Sequence, residues 1–164
     1  MRRLVAGDAA AYRALRLQGL HECPEAFGAT WEEEAAQPLE WFAGRLEANL
    51  VLGGADESCA LCGVAALRFS DSRKSRHVAQ AWGFFVAPEG RRRGLASALL
   101  EALIRQAEGE FEAIRLAVVA SNEAAIRLYA KAGFVEFGRE PRALKVDGYH
   151  DELLMRLELR LPDG

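Results

Sequence analysis

The sequence predicts an α/β protein with a mixed sheet and helices on both faces of it. Apolar stretches of strand length alternate with amphipathic stretches of helix length along the chain. A strand at residues 77–87 is followed by a helix and then by a second strand at residues 111–119, and this order predicts a parallel crossover. Because 164 residues can bury a substantial core, we expect one domain over residues 1–164.

The N-terminal part of the chain is predicted to be mainly helical. A short strand at residues 2–6 precedes a helix at residues 9–20, for which Asp8 is a suitable N-cap. Residues 21–36 contain proline, glycine and an acidic run, and they are expected to form a loop or an irregular helix. A second helix at residues 38–46 begins with a proline, which the first turn of a helix tolerates.

The middle of the chain combines strands with one strong helix. Residues 49–53 and 59–69 can pair as strands through a Gly-Gly-Ala-Asp-Glu turn. Residues 95–107 form a helix whose apolar side chains recur at helical spacing, so one face is predicted to pack on the sheet.

A further helix and two strands complete the predicted order. Asn122 is suited to cap the helix, and Gly133 ends it because glycine is favoured just beyond a helix C-terminus. Residues 134–139 and 149–159 are predicted to be strands that an Asp-Gly turn connects.

Composition and charge exclude several classes of function. A net charge of −3 disfavours general nucleic-acid binding. No apolar run approaches the roughly 20 residues that a membrane span needs, and the N-terminus is a poor secretion signal, so a cytoplasmic location is expected. The Cys59-x-x-Cys62 spacing could indicate zinc or redox chemistry, but it lacks a second ligand pair. Small core residues are the preferred interpretation, and we expect no metal.

The turn between the strand at residues 77–87 and the helix at residues 95–107 is the most informative segment. It runs Val86-Ala-Pro-Glu-Gly-Arg-Arg-Arg-Gly-Leu-Ala-Ser-Ala98. A glycine-bearing turn at a helix N-terminus presents several N–H groups to one point, where the helix dipole adds partial positive charge. The three arginines reinforce it, so the turn predicts a phosphate or pyrophosphate site, with a solvated basic turn as the alternative. The motifs of nucleotide-binding loops are missing.

Two motifs resemble those of the GNAT acyltransferase superfamily. Arg91-x-x-Gly94-x-Ala96 resembles the family's acetyl-CoA loop, which has the pattern Gln/Arg-x-x-Gly-x-Gly/Ala. The second match is Asn122-x-x-Ala125-x-x-x-Tyr129-x-Lys131-x-Gly133-Phe134. The resemblance covers residues 76–160 well, whereas the first 50 residues follow only the family's looser layout of helices.

The resemblance implies a single-domain, GNAT-like fold with a mixed, mostly antiparallel sheet of about six to seven strands. Acceptor-side helices are then expected in residues 1–50, the acetyl-CoA-binding core in residues 76–134, and C-terminal strands in residues 134–160. Family members are often dimers, so a homodimer through the exposed edge of the C-terminal strands is a candidate assembly.

The resemblance also implies which residues contact acetyl-CoA. Phe85 and Val86 would pair with the pantetheine arm like an added strand, and an amide of this strand would polarise the thioester carbonyl, a catalytic role we assign to Val86. Asn122 and Ala125 would contact pantetheine from the start of the next helix. The loop residues expected around the pyrophosphate are Arg91, Arg92, Arg93, Gly94, Leu95, Ala96 and Ser97.

Tyr129 is the implied general acid and also a cofactor contact. Attack on a thioester expels a thiolate, and a phenol near the sulfur can donate a proton as that thiolate leaves. Tyr129 lies seven residues after Asn122, which places both on one face of a helix. The alternative is a tyrosine that only packs against the sheet.

The acceptor side is less defined by the sequence. Many family members place a glutamate on the strand before the loop, but the strand at residues 77–87 contains no carboxylate. The candidate bases are therefore His77, a water chain held by Gln80, or a glutamate of residues 32–34. The candidate substrate contacts are Phe27, Trp31, Glu33 and Tyr149, and an acidic lip would suit a cationic amine.

The resemblance thus implies an acetyl-CoA-dependent N-acetyltransferase that transfers acetyl directly to a primary amine of a small molecule or a peptide. Neither nucleic acid nor a membrane is an expected partner. A non-catalytic acyl-CoA-binding or sensor domain on the same fold is the main alternative, and an anion-binding regulatory domain is a weaker one.

Overall fold

The computed structural model describes residues 1–55, 57–58 and 60–160. The helices are α1 (Ala9–Glu22), α2 (Trp31–Ala35), α3 (Leu39–Ala48), α4 (Leu95–Ala107) and α5 (Glu123–Lys131). The strands are β1 (Arg2–Arg3), β2 (Leu50–Ala55), β3 (Leu61–Arg68), β4 (Val78–Val86), β5 (Ala113–Val119), β6 (Val135–Lys145) and β7 (Tyr149–Glu158). Short 3₁₀ turns form at Ala6–Asp8, Pro24–Ala26 and Pro88–Gly90.

The described strands form one seven-stranded sheet in the order β1-β2-β3-β4-β5-β7-β6. Its neighbours pair antiparallel except β4 and β5, which pair parallel. The predicted mixed, mostly antiparallel α/β fold is therefore confirmed, as is the parallel pairing across the crossover helix α4. None of the helices that the structure describes is long and apolar enough to cross a bilayer.

Each face of the sheet carries its own apolar core. On one face, α4 and α5 pack over the central strands through side chains such as Leu99, Leu103 and Tyr129. On the other face, α1 and α3 pack through Tyr12, Leu20 and Phe42. The fully buried leucines of α4 are those of the predicted apolar stripe. We call these the α4/α5 face and the α1/α3 face.

Asp8 occupies the predicted N-cap position of α1, but its side chain does not cap the helix. The Asp8 carboxylate accepts hydrogen bonds from Arg2, at 2.8 and 2.6 Å, and from the backbone N–H of Val5, at 2.9 Å. These bonds hold the pKa of Asp8 at about 2. A 3₁₀ turn at Ala6–Asp8 leads directly into α1, so the carboxylate turns back to the chain before the helix, and the first strand is limited to Arg2–Arg3.

The acidic run divides between two structural roles. Thr30 and Glu33 form a capping box at the start of α2: the Glu33 N–H donates to Thr30 Oγ1 at 3.2 Å, and the Thr30 N–H donates to Glu33 Oε2 at 2.9 Å. Glu34, only 3 % exposed, binds two arginines.

The ion triad of Arg16, Glu34 and Arg45 ties α1, α2 and α3 together. Arg16 donates from Nε and Nη2 to the two carboxylate oxygens of Glu34, at 2.9 and 2.8 Å. Arg45 donates from Nη1 to Glu34 Oε1 at 2.9 Å. Burial raises the pKa of Glu34, but the two arginines outweigh it and hold that pKa below its usual range. The carboxylate is therefore charged at neutral pH.

We expect the substitution Glu34→Gln to lower the free energy of unfolding at pH 7 by about 3–5 kcal/mol, because it leaves buried arginines without their counter-charge. Urea denaturation measures the loss. Glu32→Gln, on the exposed side of the same helix, is the control and should change it by less than about 0.5 kcal/mol.

The pH dependence provides a second check. The pKa of Glu34 is lower in the folded than in the unfolded protein. The charged carboxylate therefore contributes to the free energy of unfolding at pH values above the unfolded-state pKa. This contribution disappears as the pH falls through the folded-state pKa. The difference in the free energy of unfolding between the wild type and Glu34→Gln should therefore disappear at acidic pH. Equal losses in the two glutamate variants at pH 7 would contradict the stabilising role of the triad.

Candidate active site

The parallel pairing of β4 with β5 stops early and leaves an open fork. The two strands pair only at three positions, the last of which is Gln80 with Arg115. Beyond it, residues 81–86 of β4 and residues 116–119 of β5 have no register with each other. We call this gap the β4–β5 fork.

A bulge in β4 lies at the fork. Val64 pairs with Phe85 and Ala66 pairs with Trp82, so β4 has one residue more than β3 over this stretch. Gly83 lies within the extra length at a φ of 62°, a left-handed conformation that glycine adopts without strain. Bulges bend a strand and increase its twist, which turns β4 away from β5.

The backbone of Val86 points into the fork. Ala87 donates its N–H to the Cys62 carbonyl at 2.8 Å, and antiparallel ladders alternate, so the N–H and C=O of Val86, opposite Gly63, point away from β3. The Val86 carbonyl accepts a hydrogen bond from Arg91 Nε at 2.9 Å. Its N–H is directed toward the open side of β4.

The loop after β4 ends in a helix N-terminus without a side-chain cap. Gly94 is the N-cap residue of α4, with a φ of 75°, and the first bond inside the helix runs from the Ala98 N–H to the Gly94 carbonyl at 3.0 Å. The amides of the three residues between them therefore precede the helix ladder. A Cβ built on Gly94 meets no atom within 4 Å, so open space adjoins these amides. The residues that supply them are Leu95, Ala96 and Ser97.

The three loop arginines differ in their surroundings. Arg91 turns back over the end of β4, with its guanidinium 5.9 Å from the Phe85 ring and 3.6 Å from the Glu22 carboxylate of α1. Arg92 and Arg93 are exposed and form no ion pair within the described chain. Arg93 also lines a cavity of about 350 Å³ beside the loop. Two exposed positive charges thus flank the free amides.

Tyr129 of α5 contacts the fork through Phe84. The two rings meet edge to face, with centroids 6.0 Å apart, and Phe134 lies 5.8 Å away on another side. Burial raises the pKa of Tyr129 to about 12. Asn122 caps the same helix by accepting from the Ala125 N–H at 3.1 Å. The second motif thus places its tyrosine beside β4.

His77 is not brought to this site. It begins the stretch that leads into β4, nine residues before Val86, which is about 30 Å along a strand. Its carbonyl accepts from the Glu112 N–H at 2.8 Å, at the closed end of the sheet. Direct proton transfer from an acceptor at the fork to His77 is therefore incompatible with the fold. Gln80 lies at the base of the fork, and its side chain accepts from Arg68 at 2.9 Å.

The predicted acceptor contacts are dispersed. Phe27 is buried 6.4 Å from the Phe85 ring, at the edge of the fork. Trp31 is exposed and Glu33 belongs to the capping box. Tyr149 lies at the β6–β7 hairpin, where it stacks with Arg142 at 4.3 Å.

Glu152 of β7 is a candidate site residue that the sequence pattern does not reveal. It pairs across the strands with Val119 at the open end of β5 and with Glu140 of β6. Burial and the charge of Glu140 raise the pKa of Glu152. No local signal distinguishes it, because a charged residue within an alternating strand is typical of a solvated face.

A parallel pair of strands that opens into a fork, followed by an uncapped helix N-terminus, forms a site suited to an extended, anionic ligand. Residues 17–134 match the model of the acetyltransferase (GNAT) family, and the chain belongs to this family. No curated protein sequence matches the chain.

Several solved structures share the fold. A GNAT-family acetyltransferase from Streptococcus pneumoniae aligns with a TM-score of 0.88 at 22% identity, covering 97% of this chain and 98% of that one. A structure from Salmonella typhimurium, solved with its cofactor acetyl-CoA, aligns with a TM-score of 0.78 at 21% identity. The alignment covers 99% of this chain and 95% of that one. A phosphinothricin acetyltransferase from Sinorhizobium meliloti in complex with acetyl-CoA aligns with a TM-score of 0.81 at 21% identity. The alignment covers 96% of this chain and 86% of that one. Among the residues described, no His, Cys, Asp and Glu side chains group to hold a metal ion.

We expect Gly94→Ala to destabilise the protein by about 1–2 kcal/mol, because the left-handed φ at this position is strained for alanine although its methyl group would meet no atom. Gly44→Ala, at an open position within α3, is the matched control and should stabilise by about 0.5–1 kcal/mol. Thermal unfolding of both variants measures the difference, and a gain for Gly94→Ala would contradict the loop conformation.

Proposed function

We propose that this protein is an acetyl-CoA-dependent N-acetyltransferase that transfers acetyl directly to a primary amine. One observation carries the proposal: the unpaired edge of β4 leads from Tyr129 to the free amides of α4. The edge, the phenol and the anion site thus lie along one continuous path. Acetyl-CoA has a matching order of groups, with a thioester, an amide-bearing arm and a pyrophosphate.

The residues at the loop fit the pyrophosphate. The amides of Leu95, Ala96 and Ser97 would donate to it, and Arg92 and Arg93 add positive charge that no described carboxylate neutralises. The fork would take the pantetheine arm as an added strand beside β4, in contact with Phe85, Val86, Asn122 and Ala125. The acetyl-CoA in the Salmonella and Sinorhizobium structures, which share this fold, supports the assignment.

Val86 would polarise the thioester. Its N–H points toward the fork, and a backbone N–H fixed by a strand needs no rearrangement to stabilise negative charge that develops on a carbonyl oxygen. Arg91 holds the Val86 carbonyl and so helps to fix the orientation of this peptide segment.

Tyr129 would assist the departure of the thiolate. Because burial raises its pKa to about 12, the phenol stays protonated at neutral pH. A thiol is more acidic, with an ordinary pKa of roughly 8.5, so complete transfer to the thiolate is uphill by about 5 kcal/mol. Tyr129 therefore acts first as a hydrogen-bond donor to the sulfur, and this refines the general-acid assignment.

The cysteines support direct transfer without an acetylated enzyme. Cys62 is fully buried, and burial raises the pKa of the Cys23 thiol, so neither provides a ready thiolate. Cys59 lies outside the described residues. The free thiol of Cys23 is typical of a reducing compartment, which supports the proposed cytoplasmic location.

We expect Tyr129→Phe to lower kcat about 100-fold while the Kd for acetyl-CoA changes less than about threefold, because the lost hydrogen bond forms mainly as the sulfur leaves. Steady-state thiol release and calorimetric titration measure the two quantities. Tyr149→Phe, at the distant hairpin, is the control and should keep wild-type values. An unchanged kcat in Tyr129→Phe would show that this tyrosine only packs.

We expect the double substitution of Arg92 and Arg93 by glutamine to weaken acetyl-CoA binding about tenfold, at about 0.7 kcal/mol for each exposed charge, and to reduce its salt dependence. Arg105→Gln, exposed at the other end of α4, is the control. Binding of acetyl-CoA without thiol release from any amine mixture would favour the acyl-CoA sensor instead.

A further inference from the structure

The α1/α3 face of the fork holds an unusual excess of hydrogen-bond donors. Arg16 is 5 % exposed and uses Nε and Nη2 on Glu34, but its Nη1 bonds to no described residue. That atom lies 3.7 Å from the position a Cβ would occupy on Gly83, at the bulge of β4. The triad of two arginines and one glutamate has a net positive charge. A cationic donor therefore faces the bulge.

Trp82 supplies a second donor at the same place. It directly precedes Gly83, and its indole Nε1 is buried without a hydrogen-bond partner among the described residues. The guanidinium of Arg45 stacks 4.6 Å from the indole ring, and that of Arg16 lies 5.8 Å from it. Buried polar groups in folded proteins almost always have a partner, so an unpaired N–H beside a cation indicates a missing acceptor.

The opposite wall of the fork is negative. Leu153 and Met155 of β7 pack on the α4/α5 face, so Glu152 points to the α1/α3 face, as Trp82 does. Glu140 lies directly across from Glu152, and like charges in that position repel each other. Neither carboxylate forms an ion pair or a hydrogen bond with a described residue. Neither carboxylate therefore has a cationic partner among the described residues.

The two walls lie on the same face of the sheet, on either side of the fork. Only β5 separates β4 from β7, and two intact strand spacings are roughly 10 Å, which the divergence of β4 from β5 widens at Gly83. Arg16 lies beside Gly83 at one side of the fork, and Glu152 projects from the same face of the sheet at the other side. The turn Pro24–Ala26, which follows α1, contacts β5 and borders the fork on the α1/α3 face. A compact zwitterion fits this charge pattern better than a simple amine.

We propose that the acceptor is a free amino acid, with its carboxylate on Arg16 and Trp82 and its amino group at Glu152, which is the catalytic base. This inference rests on the proposed acetyltransferase activity and names the class of its acceptor. In this proposal Glu152 of β7, and not Glu33, supplies the negative charge that binds the amino group of the acceptor.

Atoms and charge are conserved when the reaction proceeds through these groups. Glu152 takes one proton from the ammonium group and releases it to solvent. The nitrogen lone pair then forms the N–C bond to the acetyl carbonyl carbon while the C–S bond breaks. The second nitrogen proton is lost as the amide forms, and the thiolate is protonated beside Tyr129. The products are an N-acetyl amino acid, free CoA thiol and one proton.

Paired substrates test the carboxylate contact on the unaltered protein. Thiol release is measured with the standard amino acids and with the matching amino acid amides, and products are identified by mass spectrometry. We expect kcat/KM for the best amino acid to exceed that for its amide at least tenfold. Equal or better use of the amides would overturn this inference and leave the acetyltransferase proposal standing. No release from any amine would overturn both.

Two substitutions locate the contacts. Trp82→Phe removes the indole N–H and keeps an aromatic ring, so we expect the preference for acid over amide to fall about fivefold, with unchanged acetyl-CoA affinity. Glu152→Gln should lower kcat about 100-fold, and Glu158→Gln, exposed on the same strand, is its control. An unchanged preference in Trp82→Phe, or a wild-type kcat in Glu152→Gln, would contradict the assignment of that residue.

Discussion

The early end of the β4–β5 ladder is the constraint on which the rest of this site depends. Both strands keep antiparallel partners on their outer sides, β3 for β4 and β7 for β5. They therefore stay in the sheet although they part from each other after Gln80 and Arg115. The bulge at Gly83 supplies the bend that separates them. A sheet interrupted at its centre exposes backbone groups that an ordinary sheet would pair.

Unpaired backbone groups at the centre of a sheet are costly unless something satisfies them. Arg91 partly meets this need by donating to the Val86 carbonyl. An extended ligand with its own amides can meet it more completely, in the same way that a peptide adds a strand to a sheet edge. The fork is thus both a local weakness of the fold and an unpaired edge that suits the proposed extended, amide-bearing ligand.

The sequence predicted the donor side well because the signals there are local. The helix at residues 95–107 is observed as Leu95–Ala107, and the strand at residues 77–87 as Val78–Val86. Glycine, the arginines and the helix start lie within one short turn, so their proximity follows from chain connectivity. The failures involve side-chain contacts that lie outside the regular patterns of helices and strands. Asp8 bonds to Arg2 instead of capping α1, and the Arg16–Glu34 pair joins two separate helices, which no periodicity reveals.

The acceptor side shows why stability and chemistry are hard to separate in this protein. Glu34 fixes Arg16 through two of its three guanidinium nitrogens and leaves the third beside Gly83. The same carboxylate also binds Arg45, so the triad holds three helices together while it retains a net positive charge. A cluster with equal numbers of positive and negative charges would leave no such cationic donor beside Gly83. The excess positive charge therefore agrees with the proposed binding of an amino acid carboxylate at Arg16.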